Sequence, residues 1–403
     1  MKQYRRRHTV RNSLLSLAIV GLLAGYSYWA LSQPLPTVSP QAASRTLTVQ
    51  TPASSLQWPL SGQAAIAILG TKTLETHNLQ APAPTASTAK LITALVVLQQ
   101  KPLQTGQPGP TITLTAKDVA LYQTYAKADG SVTRVQAGEQ ISEYQMLQAM
   151  MLPSANNIAD SLAVWAFGSL DNYTTTANAY LASLGLKDSH VGKDASGLDP
   201  STTSTAHDLV KLGLLAMQDP VLSEIVAQKT AANIPVAGTI KNVNFLLGTA
   251  NIIGIKTGNS DQAGGVYVSA ARTTVDEQPV TIVTAVMGAP TLFDAVQGSL
   301  PFIVSAQNNF QPVTVVKTGD VVGHYRTAWG ASVSAVARND LKLHAWAGGN
   351  VSATIKLQPQ SSLSAAGKTA GQILAGQNSV GVKLQGTIPE PPIWWRLLHP
   401  LAK

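Results

Sequence analysis

Along this chain the hydrophobic positions change period several times, and each change marks an element. Residues 13–31 are apolar almost without a break, close to the length a helix needs to cross the hydrocarbon core of a bilayer. Over 33–60 the pattern dissolves into Pro, Ser, Thr and Gln with almost no charge, which predicts an extended linker. Residues 64–69 then predict a short apolar strand, and 91–98, apolar on nearly all sides, predict a buried helix. A second helix is expected over 142–152, opened by Ser142 and Gln145 in capping-box spacing. A third begins after Ser154, where Ile158, Leu162 and Trp165 recur at helical spacing. Thr205 with Asp208 repeats the capping pattern ahead of a helix reaching about Met217. The period then falls to two. Residues 266–269 alternate and 280–286 are β-rich, so they predict neighbouring strands.

A strand, then helices, then strands fit an α+β domain over 61–307. Beyond it, short alternating runs at 313–316, 333–337, 341–346, 351–357 and 380–384, punctuated by Gly and Asn, predict a small all-β domain over 308–390. The tail, 391–403, contains Ile393-Trp394-Trp395-Arg396-Leu397-Leu398, which suits either a membrane interface or packing on the β domain.

Length and composition agree with this layout. The chain has 403 residues, 45% hydrophobic and only 12% charged, enough for two folded domains and a tether. The net charge of +8 suggests an acidic partner until its placement is read. Lys2, Arg5, Arg6, Arg7 and Arg11 supply much of it, and no acid precedes Glu75. No basic stripe interleaved with aromatics follows, so nucleic-acid binding is not expected. The basic cluster instead predicts that residues 1–12 stay in the cytoplasm and that the rest lies outside. Residues 13–32 read either as an uncleaved anchor, with Tyr26, Tyr28 and Trp29 at the interface, or as a signal segment ending at Ala30-Leu31-Ser32. The first reading leaves an extracellular folded part on a single span, the second a secreted or periplasmic protein. Without cysteine the chain has no disulfide, no thiolate nucleophile and no Cys-based metal site. No histidine falls in H-E-x-x-H or a similar ligand spacing, so neither a metal nor another cofactor is expected.

Candidate chemistry lies in three motifs. Ser87-Thr88-Ala89-Lys90 sits at the start of the buried helix, where residues three apart share a face and Lys90 reaches Ser87. A serine hydroxyl needs a base to become a nucleophile, and a lysine becomes one when burial disfavours its ammonium form. The N-terminus of that helix offers backbone N–H groups to a developing oxyanion. Ser154-Ala155-Asn156, between two helices, offers a hydroxyl to relay a proton and an amide to hold substrate and lysine, or simply a helix cap. Lys256-Thr257-Gly258 follows a strand-like run. Its charge and hydroxyl suit a terminal carboxylate, and the glycine admits a close backbone approach. A second copy, Lys317-Thr318-Gly319, lies in the β region and reads as a turn at a hairpin end.

The order S-x-x-K, S-x-N, K-T-G resembles that of the penicillin-recognising serine enzymes. The surrounding text resembles their low-molecular-weight D-Ala-D-Ala carboxypeptidases: STAKLITALVVL at 87–98, PSANNIADSLA at 153–163, SGLDPSTTSTAHDL at 196–209 and IKTGNSDQAGGVYVSAAR at 255–272. The resemblance covers roughly 64–305, and more weakly the β domain. It implies a β-lactamase/transpeptidase-like catalytic domain, an antiparallel sheet with helices, followed by the small all-β domain. It also implies roles. Ser87 attacks the carbonyl between two terminal D-alanines of a peptidoglycan stem peptide and becomes acylated. Lys90 is the general base, and Ser154 passes the proton to the departing D-alanine. Asn156 positions the substrate, and Lys256 and Thr257 bind its carboxylate. The N–H groups of Ser87 and Asn259 form the oxyanion hole, and β-lactams remain attached to Ser87. Two features depart from the family. Ala83-Pro84-Thr85-Ala86 precedes the nucleophile where Pro-Ala is usual, and the short tail differs from the C-terminal amphipathic anchor common there. A DD-endopeptidase or transpeptidase shares the same motifs. A class A β-lactamase would have S-D-N and a glutamate in the loop, whereas 193–205 contains Asp194 and Asp199 but no Glu. A non-enzymatic wall-binding protein would have no need of Ser87, Lys90 and Lys256 together.

Overall fold

The apolar run near the N-terminus forms one helix, α1 (Lys2–Ser32). Its stretch Arg11–Ser32 is long and apolar enough to cross a membrane. The computed structural model describes the backbone over 2–402 and the side chains over 11–402. The side chains of Lys2, Arg5, Arg6 and Arg7, on which the expected orientation rests, lie outside that range.

The chain forms two units, one made of residues 1–54 and 311–403, the other of 55–310. After α1 comes strand β1 (Ser44–Gln50). The central unit then supplies β2 (Gln63–Ile68), β3 (Leu74–His77), α2 (Lys90–Gln100), α3 (Ala116–Lys127) and α4 (Glu143–Met151). It continues with α5 (Asn156–Phe167), α6 (Leu170–Ser183), α7 (Ala206–Gln218) and α8 (Pro220–Val226). Strands β4 (Ile252–Ser260), β5 (Gly264–Val275) and β6 (Gln278–Ala289) and helix α9 (Leu292–Gln307) complete it. The chain returns through β7 (Phe310–Val316), β8 (Val321–Arg326), β9 (Ser332–Ala337) and β10 (Leu341–Trp346). Then follow β11 (Asn350–Leu357), β12 (Thr369–Ala375), β13 (Asn378–Leu384) and α10 (Ile393–Leu398).

In the central unit five antiparallel strands run in the order β4-β5-β6-β2-β3, so β4 is an edge. Alternation along β5 divides its residues between two cores. Val266, Val268 and Ala270 join the helical core of α2, α4, α5 and α7, while Tyr267 faces α9 with Ala295, Val296 and Ile303. This is the expected α+β class. Helix α2 is buried from Lys90 through Leu98. Burying each of its Leu, Ile and Val side chains contributes roughly 1.5–3 kcal/mol. Together they offset the several kcal/mol that desolvating one lysine in their midst costs. The two ends of this unit lie side by side: Ser55 N–H donates to Asn309 Oδ1 at 3.1 Å and Gln57 N–H to Ser305 Oγ at 2.8 Å.

The other unit is a six-stranded antiparallel sheet in the order β8-β9-β13-β12-β11-β1, with β7 pairing β10 separately. It corrects the expectation of a linker over 33–60. Residues 44–50 are the edge strand of this sheet, in register from Ser44↔Lys356 to Gln50↔Asn350. Leu47 and Val49 pack on the core that contains Ile355. An edge strand needs only one half-buried face, so the polar composition of this stretch hid it. The second Lys-Thr-Gly copy is a turn between β7 and β8, closed by Lys317 N–H donating to Asp320 Oδ2 at 2.8 Å. Because β7 and β8 belong to different sheets, it is not a hairpin end.

The tail packs on the β domain through one side chain. Trp395 is buried edge-on against Trp329, with ring centroids 5.3 Å apart, while Ile393, Trp394 and Leu398 are exposed. It also grips the end of α1. Tyr26 Oη donates to the Leu397 carbonyl at 2.7 Å, and Arg396 donates to the carbonyls of Leu31 and Gln33.

Candidate active site

Ser87 stands half-buried in a 3-10 turn, Ala86–Ala89, that leads directly into α2. The residue before it, Ala86, has φ 45, and Ser154 has φ 66. Left-handed backbone at a non-glycine residue costs on the order of 1–3 kcal/mol and persists only where the surroundings hold it. Around Ala86 the hold comes from Thr88 Oγ1 donating to Thr85 O at 2.7 Å and from Thr85 N–H donating to Thr202 O at 3.1 Å. After Ser154, Asn156 N–H donates to Ser131 O at 2.7 Å.

The turn places Lys90 beneath Ser87. Lys90 Nζ lies 2.8 Å from Ser87 Oγ, 2.6 Å from Asn156 Oδ1 and 3.0 Å from the Ser196 carbonyl. Burial lowers its pKa to about 7, against the opposing charges of Asp194 and Asp160. A neutral amine has two N–H bonds and one lone pair. With Asn156 Oδ1 and Ser196 O accepting the N–H bonds, the lone pair points at the serine hydroxyl.

Lys256, also buried, donates to Ser154 Oγ at 2.8 Å and to the Thr257 carbonyl at 2.9 Å. Burial first, and the Lys90 charge second, hold its pKa well below the ordinary lysine range. Ser154 accepts that bond, so its own proton is free to go elsewhere. Thr257 is buried on β4 beside it. Gly258 passes under the Ser87 turn, where a Cβ would stand 3.0 Å from Thr85 O and 3.1 Å from the backbone nitrogens of Ser87 and Thr88. Asn259 follows, exposed, opposite Gly265. The three motifs thus meet in one place. Among the described residues no group of three or more His, Asp or Glu is placed to hold a metal ion.

Sequence reasoning missed the layer behind Lys90. Asp160 accepts from Tyr125 Oη at 2.6 Å and from Ala195 N–H at 2.9 Å. Asp194 accepts from Gly197 N–H at 2.7 Å, Asp199 N–H at 2.9 Å and Ser196 N–H at 3.2 Å. The signal for Asp160 was present: it lies four residues after Asn156, on the same helical face, among Ile158, Ala159 and Leu162.

Residues 54–291 match the peptidase family described as D-alanyl-D-alanine carboxypeptidase. The chain belongs to the D-alanyl-D-alanine carboxypeptidase family. Among relatives of this carboxypeptidase-family chain, a D-alanyl-D-alanine endopeptidase of Pseudomonas aeruginosa is 32% identical over 68% of this chain and 82% of its own length. The D-alanyl-D-alanine carboxypeptidase DacA of Haemophilus influenzae is 25% identical over 61% of each chain. The crystal structure of penicillin binding protein 5 from Haemophilus influenzae superposes with a TM-score of 0.56 at 22% identity, covering 85% of this chain and all (100%) of that one. That likeness establishes the penicillin-binding fold.

Proposed function

We propose that this protein is a serine-type D-Ala-D-Ala carboxypeptidase that removes the terminal D-alanine of peptidoglycan stem peptides through an acyl-enzyme on Ser87, and that β-lactams inhibit it. One observation carries the reading: a buried lysine amine, depressed to about 7, lies 2.8 Å from a half-buried serine hydroxyl.

The geometry supports the following course. The substrate peptide lies along the open edge of β4, its terminal carboxylate at Lys256 and Thr257. Lys90 takes the Ser87 proton as Oγ bonds to the carbonyl carbon, and the N–H groups of Ser87 and Asn259 receive the oxyanion. The C–N bond then breaks as Ser154 gives its proton to the leaving D-alanine nitrogen and receives in exchange the one held by Lys90, which returns Lys90 to its neutral form. Water gives a proton to Lys90 as it attacks the ester, and Lys90 returns that proton to Ser87 Oγ as the shortened peptide leaves. A β-lactam acylates Ser87 in the same way, but its leaving nitrogen stays tethered in the acyl group. The absence of any glutamate from 193–205 is consistent with slow release of that adduct.

A second reading keeps this acyl-enzyme and changes the bond cut. Relatives named D-alanyl-D-alanine endopeptidase, at 32% and 30% identity, favour it. Both are tested by one experiment: incubate the protein with a pentapeptide muropeptide and with a cross-linked dimer, and follow products by mass spectrometry. Release of D-alanine from the monomer supports the carboxypeptidase, and cleavage of the dimer alone supports the endopeptidase. Activity on neither rejects both.

For location, we infer a retained single span, α1, with the catalytic unit outside the cell. Support comes from the grip of Tyr26 and Arg396 on the junction of α1 and the tail, across the point where a signal peptidase would cut.

A further inference from the structure

Three oxygens surround the amine of Lys90, and only one of them, the Ser196 carbonyl, belongs to a loop. That loop is built tightly. Residue 195 is tied at both ends of its peptide: its N–H to Asp160 Oδ1 at 2.9 Å, its carbonyl to Thr93 Oγ1 at 2.6 Å. Gly197, at φ +75, is pressed on the nucleophile turn so closely that a Cβ there would collide with Ala86 O. The other oxygen of Asp160 holds Tyr125 of α3 at 2.6 Å. One buried carboxylate therefore joins α3, α5 and the loop, one turn along α5 from Asn156, which supplies a second acceptor to the same amine.

We propose that Asp160 is a positioning residue for the general base: by holding residue 195 and Tyr125 together it fixes the Ser196 carbonyl that, with Asn156, aims the Lys90 lone pair at Ser87. The inference rests on the acyl-enzyme reading above and adds to it a residue outside the three motifs. Neither of its hydrogen bonds involves substrate or Ser87, so Asp160 acts through Lys90.

The carboxylate has a second consequence. The charged groups that act on Lys90 are Asp160 on α5, Asp194 in the loop and Lys256 on β4, with Tyr125 of α3 bonded to Asp160 and Tyr173 of α6 close to Thr93 Oγ1. Asp194 and Asp160 favour the ammonium form of Lys90 against burial. Removing the charge of Asp160 while keeping its shape makes Lys90 lose its proton at lower pH. A residue that merely held the fold together would change the rate without moving that pH.

The test measures the second-order rate of acylation by a fluorescent penicillin between pH 5 and 9, on the full chain, with melting temperature recorded for every variant. Wild type labelled on Ser87 secures the underlying reading, and its absence there defeats that reading without bearing on Asp160. Given labelling, Asp160→Asn is expected to move the acid limb of the profile down by about one pH unit, the size of effect a nearby charge exerts. Asp160→Ala, which releases the loop, is expected to acylate roughly ten- to a hundredfold more slowly, as a misplaced catalytic group does. Tyr125→Phe leaves the carboxylate in place and removes one of its donors, so it is expected to shift the limb in the same direction by less. If Asp160→Asn does not fold, Tyr125→Phe decides by the same readout. A folded Asp160→Asn or Tyr125→Phe whose profile overlies the wild type would overturn the proposal, as would wild-type acylation by a folded Asp160→Ala.

Discussion

Lys256 donates a 2.8 Å hydrogen bond to Ser154 across 102 residues of chain. The contact ties the edge strand β4 to the turn before α5. Both partners are buried, so the bond stands in a low-dielectric setting where loss of either leaves the other unsatisfied. Lys256→Ala and Ser154→Ala should each lower acylation, and the double variant should lose less than the sum of the two. Rates of penicillin acylation in a double-mutant cycle check this. Strict additivity would mean the two residues act separately.

Acylation should depend on pH through Lys90. The amine must be neutral to take the serine proton, and its pKa is lowered to about 7. The rate is therefore expected to rise with pH, with a midpoint near 7, and to level above it. An ordinary lysine near 10.4 would leave the rate still rising at pH 9.

Lys90→Arg should fold and fail to acylate. Arginine remains charged at any working pH and has no lone pair to offer. The measurement is penicillin labelling beside a thermal melt. Labelling at the wild-type rate would remove Lys90 from the role of base.

Gly258→Ala should impair the site without changing a functional group. The added Cβ would meet Thr85 O at 3.0 Å and the Ser87 and Thr88 nitrogens at 3.1 Å, tighter than ordinary packing. Backbone atoms cannot rotate out of the way, so the Ser87 turn shifts. We expect acylation to fall roughly tenfold or more and the melting temperature to drop. A variant that matches wild type in both would show the turn to be compliant.

Glu143 sets a pH dependence of stability unrelated to catalysis. Its carboxylate is fully buried on α4 with neither oxygen hydrogen-bonded, and burial pushes its pKa up to about 7. An unfolded glutamic acid titrates near 4.3. Between these values the folded protein keeps a proton that the unfolded chain has released, so stability falls as pH rises through this window. Glu143→Gln should melt a few degrees higher than wild type at pH 8, with the gain shrinking towards pH 5. Differential scanning calorimetry across that range decides it.

The proposal that α1 is retained predicts that protein recovered from membranes carries its residues before 33. Intact-mass measurement checks this, and a mature form beginning near Gln33 would exclude the anchor.

What the sequence revealed of this molecule follows a physical division. The motif residues and the helices that carry them were legible because hydrophobic period, capping pairs and motif order are local properties. Helix α2 could be read as buried because it is apolar on every side, β5 because 266–269 alternate, and β6 because 280–286 are rich in β-branched residues. Strand β1 could not be read in this way. Its seven residues, Ser44 to Gln50, carry mostly polar side chains, and the strand that completes it is about 300 positions away. Asp160 escaped for a related reason. A carboxylate inside an apolar helical face is visible in the sequence, but its partners, Tyr125 and Ala195, come from separate segments that only folding brings together. Asp194 was visible only as a residue that is not glutamate. Its four-donor cradle, three backbone N–H groups and the Ser196 hydroxyl, depends on the curl of the loop.

The pairing of Arg45 with Ile355 orders events during folding. The central unit, residues 55–310, is an insertion whose every strand partner lies within itself, so it can finish folding as soon as it has emerged. The sheet that brackets it cannot. Its first strand is made early and must wait, backbone groups unpaired, until the strand at 350–357 arrives. A chain cut short after the catalytic half would leave a sticky ribbon exposed next to α1.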